Sequence, residues 1–103
     1  MHTEEIIMKV FAIYTVKPGT APEQLKVHMP HEVPATLKHY LDGKIEQFWF
    51  REGAGPIFLM NVESVDEAKA TLDQLPLAAA KLATIEYIPV GPLKPLGLLL
   101  QGK

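Results

Sequence analysis

The chain contains no cysteine. That excludes a disulfide framework, a thiolate zinc site and a cysteine nucleophile, and it is compatible with a reducing compartment. Long apolar runs are missing too, since no stretch approaches the roughly 18 residues that cross a bilayer. The opening Met1-His2-Thr3-Glu4-Glu5 places acids where a secretory signal carries its positive charge. The expectation is a cytoplasmic protein with no membrane partner. Nor does one sign of charge dominate: ten basic and twelve acidic side chains leave a net charge of -2. The basic residues stand singly, so the electrostatic footprint of a phosphate-backbone binder is lacking and no nucleic-acid partner is expected. Gly53-Ala54-Gly55 is too short for a phosphate loop and has no lysine, and neither GxGxxG nor GxSxG occurs. Nucleotide binding and the serine-hydrolase elbow are therefore unsupported.

What is present suits one small domain. A chain of 103 residues, 48% of them apolar, builds one sheet-and-helix layer pair and no second core. We read a single domain over 1–103, with its core at about 6–91 and an apolar tail from 92 to 103. IIMKVFAIYTV, residues 6–16, is rich in β-branched and aromatic side chains and ends at Lys17-Pro18-Gly19, a strand followed by a turn. Thr20-Ala21-Pro22-Glu23 then has the form of a helix start, with Thr20 as the cap and Glu23 three residues on. The helix is expected to run toward Leu41 and stop at Asp42-Gly43. Leu25, Met29, Val33, Leu37 and Tyr40 recur at helical spacing and predict a stripe covering the sheet. Pro30 and Pro34 each remove an amide donor, which predicts a kink or a break.

KIEQFWFRE (44–52) and PIFLMNVE (56–63) are extended runs joined through Gly53-Ala54-Gly55, the pattern of a hairpin. Ser64-Val65-Asp66-Glu67 caps a second helix whose inward stripe is Val65, Ala68, Leu72 and Leu75, ending before Pro76. A short turn or helical piece follows over 77–81. LATIEYIPV (82–90) is the last strand, and Pro89 places it at a sheet edge. The order β-α-β-β-α-β predicts an α+β, ferredoxin-like sandwich with a four-stranded antiparallel sheet.

Helices can cover only one face of such a sheet. In the first strand Ile7, Phe11 and Ile13 oppose Met8, Val10, Ala12, Tyr14 and Val16, so both faces are apolar. Ile57 and Leu59 oppose Phe58, Met60 and Val62 in the third. A second copy of the sheet is the expected cover, which predicts a homo-oligomer, a dimer or larger. The alternative is the tail folded back over its own sheet.

Two groups of residues suggest chemistry. On a continuous first helix, His28, His31, Glu32, Ala35 and His39 form a stripe flanking the apolar one. An imidazole beside a carboxylate is a suitable general base, as is a buried glutamate, which makes His28, His31 and Glu32 the catalytic candidates and His39 a ligand-binding one. The plainer reading is a set of solvated residues. His28, His31 and Glu32 match no recognised zinc spacing, so no metal is expected. In the second strand Gln47, Trp49 and Arg51 share one face, while Phe48 and Phe50 share the other with Glu46 and Glu52. The first set suits a small-molecule ligand, through indole stacking and a guanidinium clamp on a carboxylate. It equally suits a subunit contact.

Gly43-Lys44, the strand with Trp49 and Arg51, the glycine hairpin, Asn61-Val62-Glu63-Ser64, Leu75-Pro76-Leu77 and Ile85-Glu86-Tyr87-Ile88-Pro89-Val90 together resemble the muconolactone isomerase family. The likeness covers most of residues 8–92, and Glu32 coincides with an acidic position of that family. The resemblance implies a subunit of a dimeric α/β barrel and a cofactor-free isomerisation of a small lactone or aromatic-catabolism carboxylate by proton movement next to a carbonyl. It implies Glu32 or a neighbouring histidine as base and Arg51 as carboxylate clamp. The first helix departs from the family in its two prolines and three histidines. The alternatives are a cofactor-independent or haem-binding monooxygenase-like barrel protein, and a non-catalytic ligand-binding or assembly module.

Overall fold

The structure is a computed structural model and describes residues 8–91. Ile6 and Ile7 of the expected first strand, and the apolar tail 92–103, lie outside the described residues. The elements are β1 (Met8–Val16), α1 (Pro22–Leu41), β2 (Ile45–Arg51), β3 (Gly55–Val62), α2 (Val65–Leu72), α3 (Pro76–Ala79) and β4 (Ala83–Val90). The four strands form one sheet in the order β2-β3-β1-β4, with every neighbouring pair antiparallel. This is the α+β ferredoxin-like sandwich that the element order predicts. β4 is an edge strand, where Pro89 costs the sheet no interior hydrogen bond.

Alternation along the strands sorts the two faces. Val10, Ala12 and Tyr14 of β1 and Phe58, Met60 and Val62 of β3 are buried under the helices, together with Ile45, Ala68, Leu72, Leu75, Leu77 and Ala83. Tyr14 and Phe58 meet edge to face, their ring centroids 5.9 Å apart. α2 begins as its sequence predicts: Ser64 Oγ accepts the Glu67 amide at 3.0 Å, and Glu67 Oε1 accepts the Glu63 amide at 2.7 Å. These bonds occupy amide donors that a helix start leaves free.

Four expectations need correction. First, of the kink or break expected in α1, the break does not occur: the helix is continuous through Pro30 and Pro34. Both prolines are exposed, so water reaches the carbonyls that lose their amide partners. Second, the cap of α1 is Ala21 rather than Thr20, because Pro22 takes the first helical position. The Gln24 side chain accepts the Ala21 amide at 3.1 Å, while the Thr20 hydroxyl donates to the Lys17 carbonyl at 2.7 Å. Third, a bulge between Ile45 and Gln47 puts two residues of β2 against one step of β3. Glu46 thereby leaves the Phe48 and Phe50 face and pairs with Lys9 on the other. Fourth, the α1 stripe does not seal the sheet: Met29, Val33, Leu37 and Tyr40 are 40%, 55%, 47% and 41% exposed.

The face away from the helices carries Phe11, Ile13, Ile57, Leu59, Trp49 and Ile88. Its register pairs Phe11 with Leu59 and Ile88, and Trp49 with Ile57. The Phe11 and Trp49 rings lie 6.0 Å apart.

Candidate functional site

Because α1 stands away from β2 and the far half of β1, an apolar cavity of about 900 Å³ opens between them. Leu25, Met29, Val33 and Leu37 form its helix wall, and Phe48 and Phe50 its sheet wall. The Lys17–Thr20 turn and the β2-β3 hairpin frame its mouth. This volume lies in the range of small-molecule sites. The buried lining residues are Tyr14, Glu32, Gly55, Phe58 and Leu77, and they make its floor.

Glu32 is only 7% exposed. A buried carboxylate needs hydrogen bonds, and α3 supplies one: the Leu77 amide donates to Glu32 Oε1 at 2.9 Å. The next amide, that of Ala78, donates to the Tyr14 hydroxyl at 3.1 Å. Burial pushes the Tyr14 phenol far above its usual pKa, and the negative charge of the adjoining Glu32 carboxylate pushes it further. Tyr14 is thus a neutral hydrogen-bond donor at any ordinary pH. Two side chains from different elements converge on the same short turn of backbone.

Tyr14 is itself placed by a glycine. Gly55 has φ +124°, and a Cβ there would stand 2.5 Å from the Tyr14 carbonyl oxygen. Only glycine permits the hairpin to approach β1 this closely. Arg51 holds the same junction, donating from Nε to the Gly55 carbonyl at 3.1 Å and from Nη2 to the Tyr14 carbonyl at 3.3 Å and Thr15 Oγ1 at 3.0 Å.

The structure separates the residues singled out in the sequence. Glu32 lies on the cavity floor, whereas His28, His31 and His39 do not contribute to its wall. A helix turns roughly 100° per residue, which places the histidines on the flank beside the Leu25, Met29, Val33 and Leu37 stripe. His31 is exposed, and His28 and His39 are half-buried. Burial lowers the pKa of His39 below its ordinary value; Asp42 opposes this, and Lys38 and Lys44 reinforce it. Among the described residues no cluster of His, Asp and Glu has the proximity needed for a metal ion.

Gln47 is exposed and lies off the cavity wall, and so does the half-buried Arg51. Trp49 contributes to the wall, although its indole packs against Phe11 on the opposite face. Tyr14, Phe48, Phe50 and Lys17 belong to the cavity and were not singled out as site residues. Tyr14 carried a faint signal, as the polar-tipped aromatic in a strand face otherwise made of Met8, Val10, Ala12 and Val16. No model of a known protein family matches the chain, and no curated protein matches it significantly.

Proposed function

We propose that the cavity binds a small ring-bearing molecule and that Glu32 moves a proton on it, a cofactor-free isomerisation of the muconolactone isomerase-like kind. The observation that carries this reading is a buried carboxylate, beside a neutral phenol, on the floor of an otherwise apolar cavity. Low polarity around such a pair strengthens each hydrogen bond that forms there. Leu77 occupies Oε1, leaving Oε2 to take a proton from a carbon next to the substrate carbonyl. The Tyr14 hydroxyl, neutral beside Glu32, donates to the enolate oxygen. The Glu32 carboxyl, its proton exchanging with solvent, then delivers a proton to the far end of the conjugated system or back to the first carbon, with no net change in protons or electrons.

A second copy of the chain is the partner we propose for the open sheet face, where Phe11, Ile13, Ile57, Leu59, Trp49 and Ile88 form a continuous apolar surface. A non-catalytic ligand-binding role is the second reading, favoured by the Glu32 to Leu77 bond acting as a clasp between helices.

The test is proton exchange. Small unsaturated lactones are incubated with the protein in deuterated water and followed by NMR. Deuterium should appear next to the carbonyl with the wild type and not with Glu32→Gln. Absence of exchange with the wild type across the panel, in a protein that binds the same lactones, leaves the non-catalytic reading in its place.

A further inference from the structure

The charges around the cavity are unbalanced in a way that bears on its ligand. Glu32 brings a carboxylate to the floor, and its hydrogen-bond donor there is the neutral Leu77 amide. Among the described residues Glu32 joins no ion pair. Arg51, the obvious clamp for an acidic substrate, lies off the wall with its guanidinium spent on Gly55, Tyr14 and Thr15. Among the described residues the lone cation on the wall is Lys17, in the exposed turn at the mouth.

We propose that the molecule bound here is uncharged at its buried end: an enolisable ring compound that meets Glu32 with a neutral hydroxyl, not with a carboxylate. The inference rests on the reading of the cavity as a ligand site and sharpens it. Two carboxylates brought together in a poorly polarisable pocket repel strongly, and one must take up a proton at the expense of affinity. An enol hydroxyl does the opposite, donating to the free oxygen of Glu32 and surrendering its own water without a charge penalty. The aromatic and aliphatic walls then cover the ring, and a volume of about 900 Å³ has room for more than one. Any acidic substituent belongs at the far end, toward Lys17.

Naphthol and naphthoate make a matched pair of probes, since both present a fused ring and only one is anionic near neutral pH; naphthol also mimics the enol of a ring ketone. Their affinities are measured by calorimetry on the intact chain. Naphthol should bind about tenfold or more tightly than naphthoate, the scale expected for one unfavourable charge contact. Glu32→Gln, which keeps an acceptor for the Leu77 amide, should narrow that difference. Leu37→Trp, at a half-exposed wall position, should weaken both probes and so place them in the cavity. Equal or tighter binding of naphthoate overturns the proposal, as does binding of neither probe. The wild-type comparison decides the matter even if Glu32→Gln fails to fold. Preference for naphthoate would leave the proton-exchange test of Glu32 standing, and failure of that test would leave the affinity ratio intact.

Discussion

The Leu77 amide donates to Glu32 at 2.9 Å across a sequence separation of 45 residues, and it ties α1 to α3 at the one place where α1 carries a buried charge. The bond has two roles that substitution separates. Glu32→Gln keeps an oxygen acceptor and loses the base, while Glu32→Ala loses both. Glu32→Ala should cost about 1–3 kcal/mol, because it leaves a buried donor unpaired. Glu32→Gln should cost clearly less. Urea midpoints of the two variants check this, and equal losses would mean that the hydrogen bond contributes little.

Gly55→Ala asks the hairpin to place a methyl 2.5 Å from the Tyr14 carbonyl oxygen at a backbone angle that favours glycine. The strained backbone alone is worth on the order of 1–3 kcal/mol. The Tyr14 amide and ring resonances should shift along with the loss of stability. A variant as stable as the wild type, with Tyr14 unmoved, would contradict the close approach.

His39 gives the protein a pH dependence of defined sign. Its folded pKa lies below the ordinary value, chiefly through burial. The unfolded chain therefore binds more protons between the folded pKa and about 6.5, so stability falls as pH drops through that window. His39→Gln should flatten the urea midpoint against pH there. A slope unchanged by the substitution would assign the effect to another group.

The open sheet face predicts association. Sedimentation equilibrium should give a mass above that of one chain, and Leu59→Glu, opposite Phe11 in the middle of the face, should return the protein to single chains. A wild type that remains monomeric at every concentration counts against a second copy as the cover.

The architecture was legible because its signals are local and periodic. Alternation in β1 and β3, the Ser64 cap and the Leu75-Pro76-Leu77 turn each mark an element through side chains a few residues apart. What escaped depends on the partner across space. The bulge that carries Glu46 to the Lys9 side is a property of β2 against β3, and strict alternation within β2 contains no trace of it. The prolines of α1 predicted a kink or a break, and the break is absent because water on their exposed side serves the carbonyls that their missing donors leave free. Glu32 stood out as a candidate by residue type. Its partner is a main-chain amide, which any residue but proline at position 77 would supply, and no side-chain pattern announces that. The histidines drew attention through their chemistry, but the same helical spacing that grouped them carried them around the helix from the cavity.

Trp49 is the sole tryptophan of the chain, and it lies on the open face, 45% exposed and 6.0 Å from Phe11. Whatever settles on that face removes water from this indole, and nothing else in the molecule absorbs and emits as it does. The protein thus contains its own optical gauge of surface coverage. A blue shift of its fluorescence on raising the protein concentration reports that the face has been covered, and an unchanged spectrum reports that it remains wet.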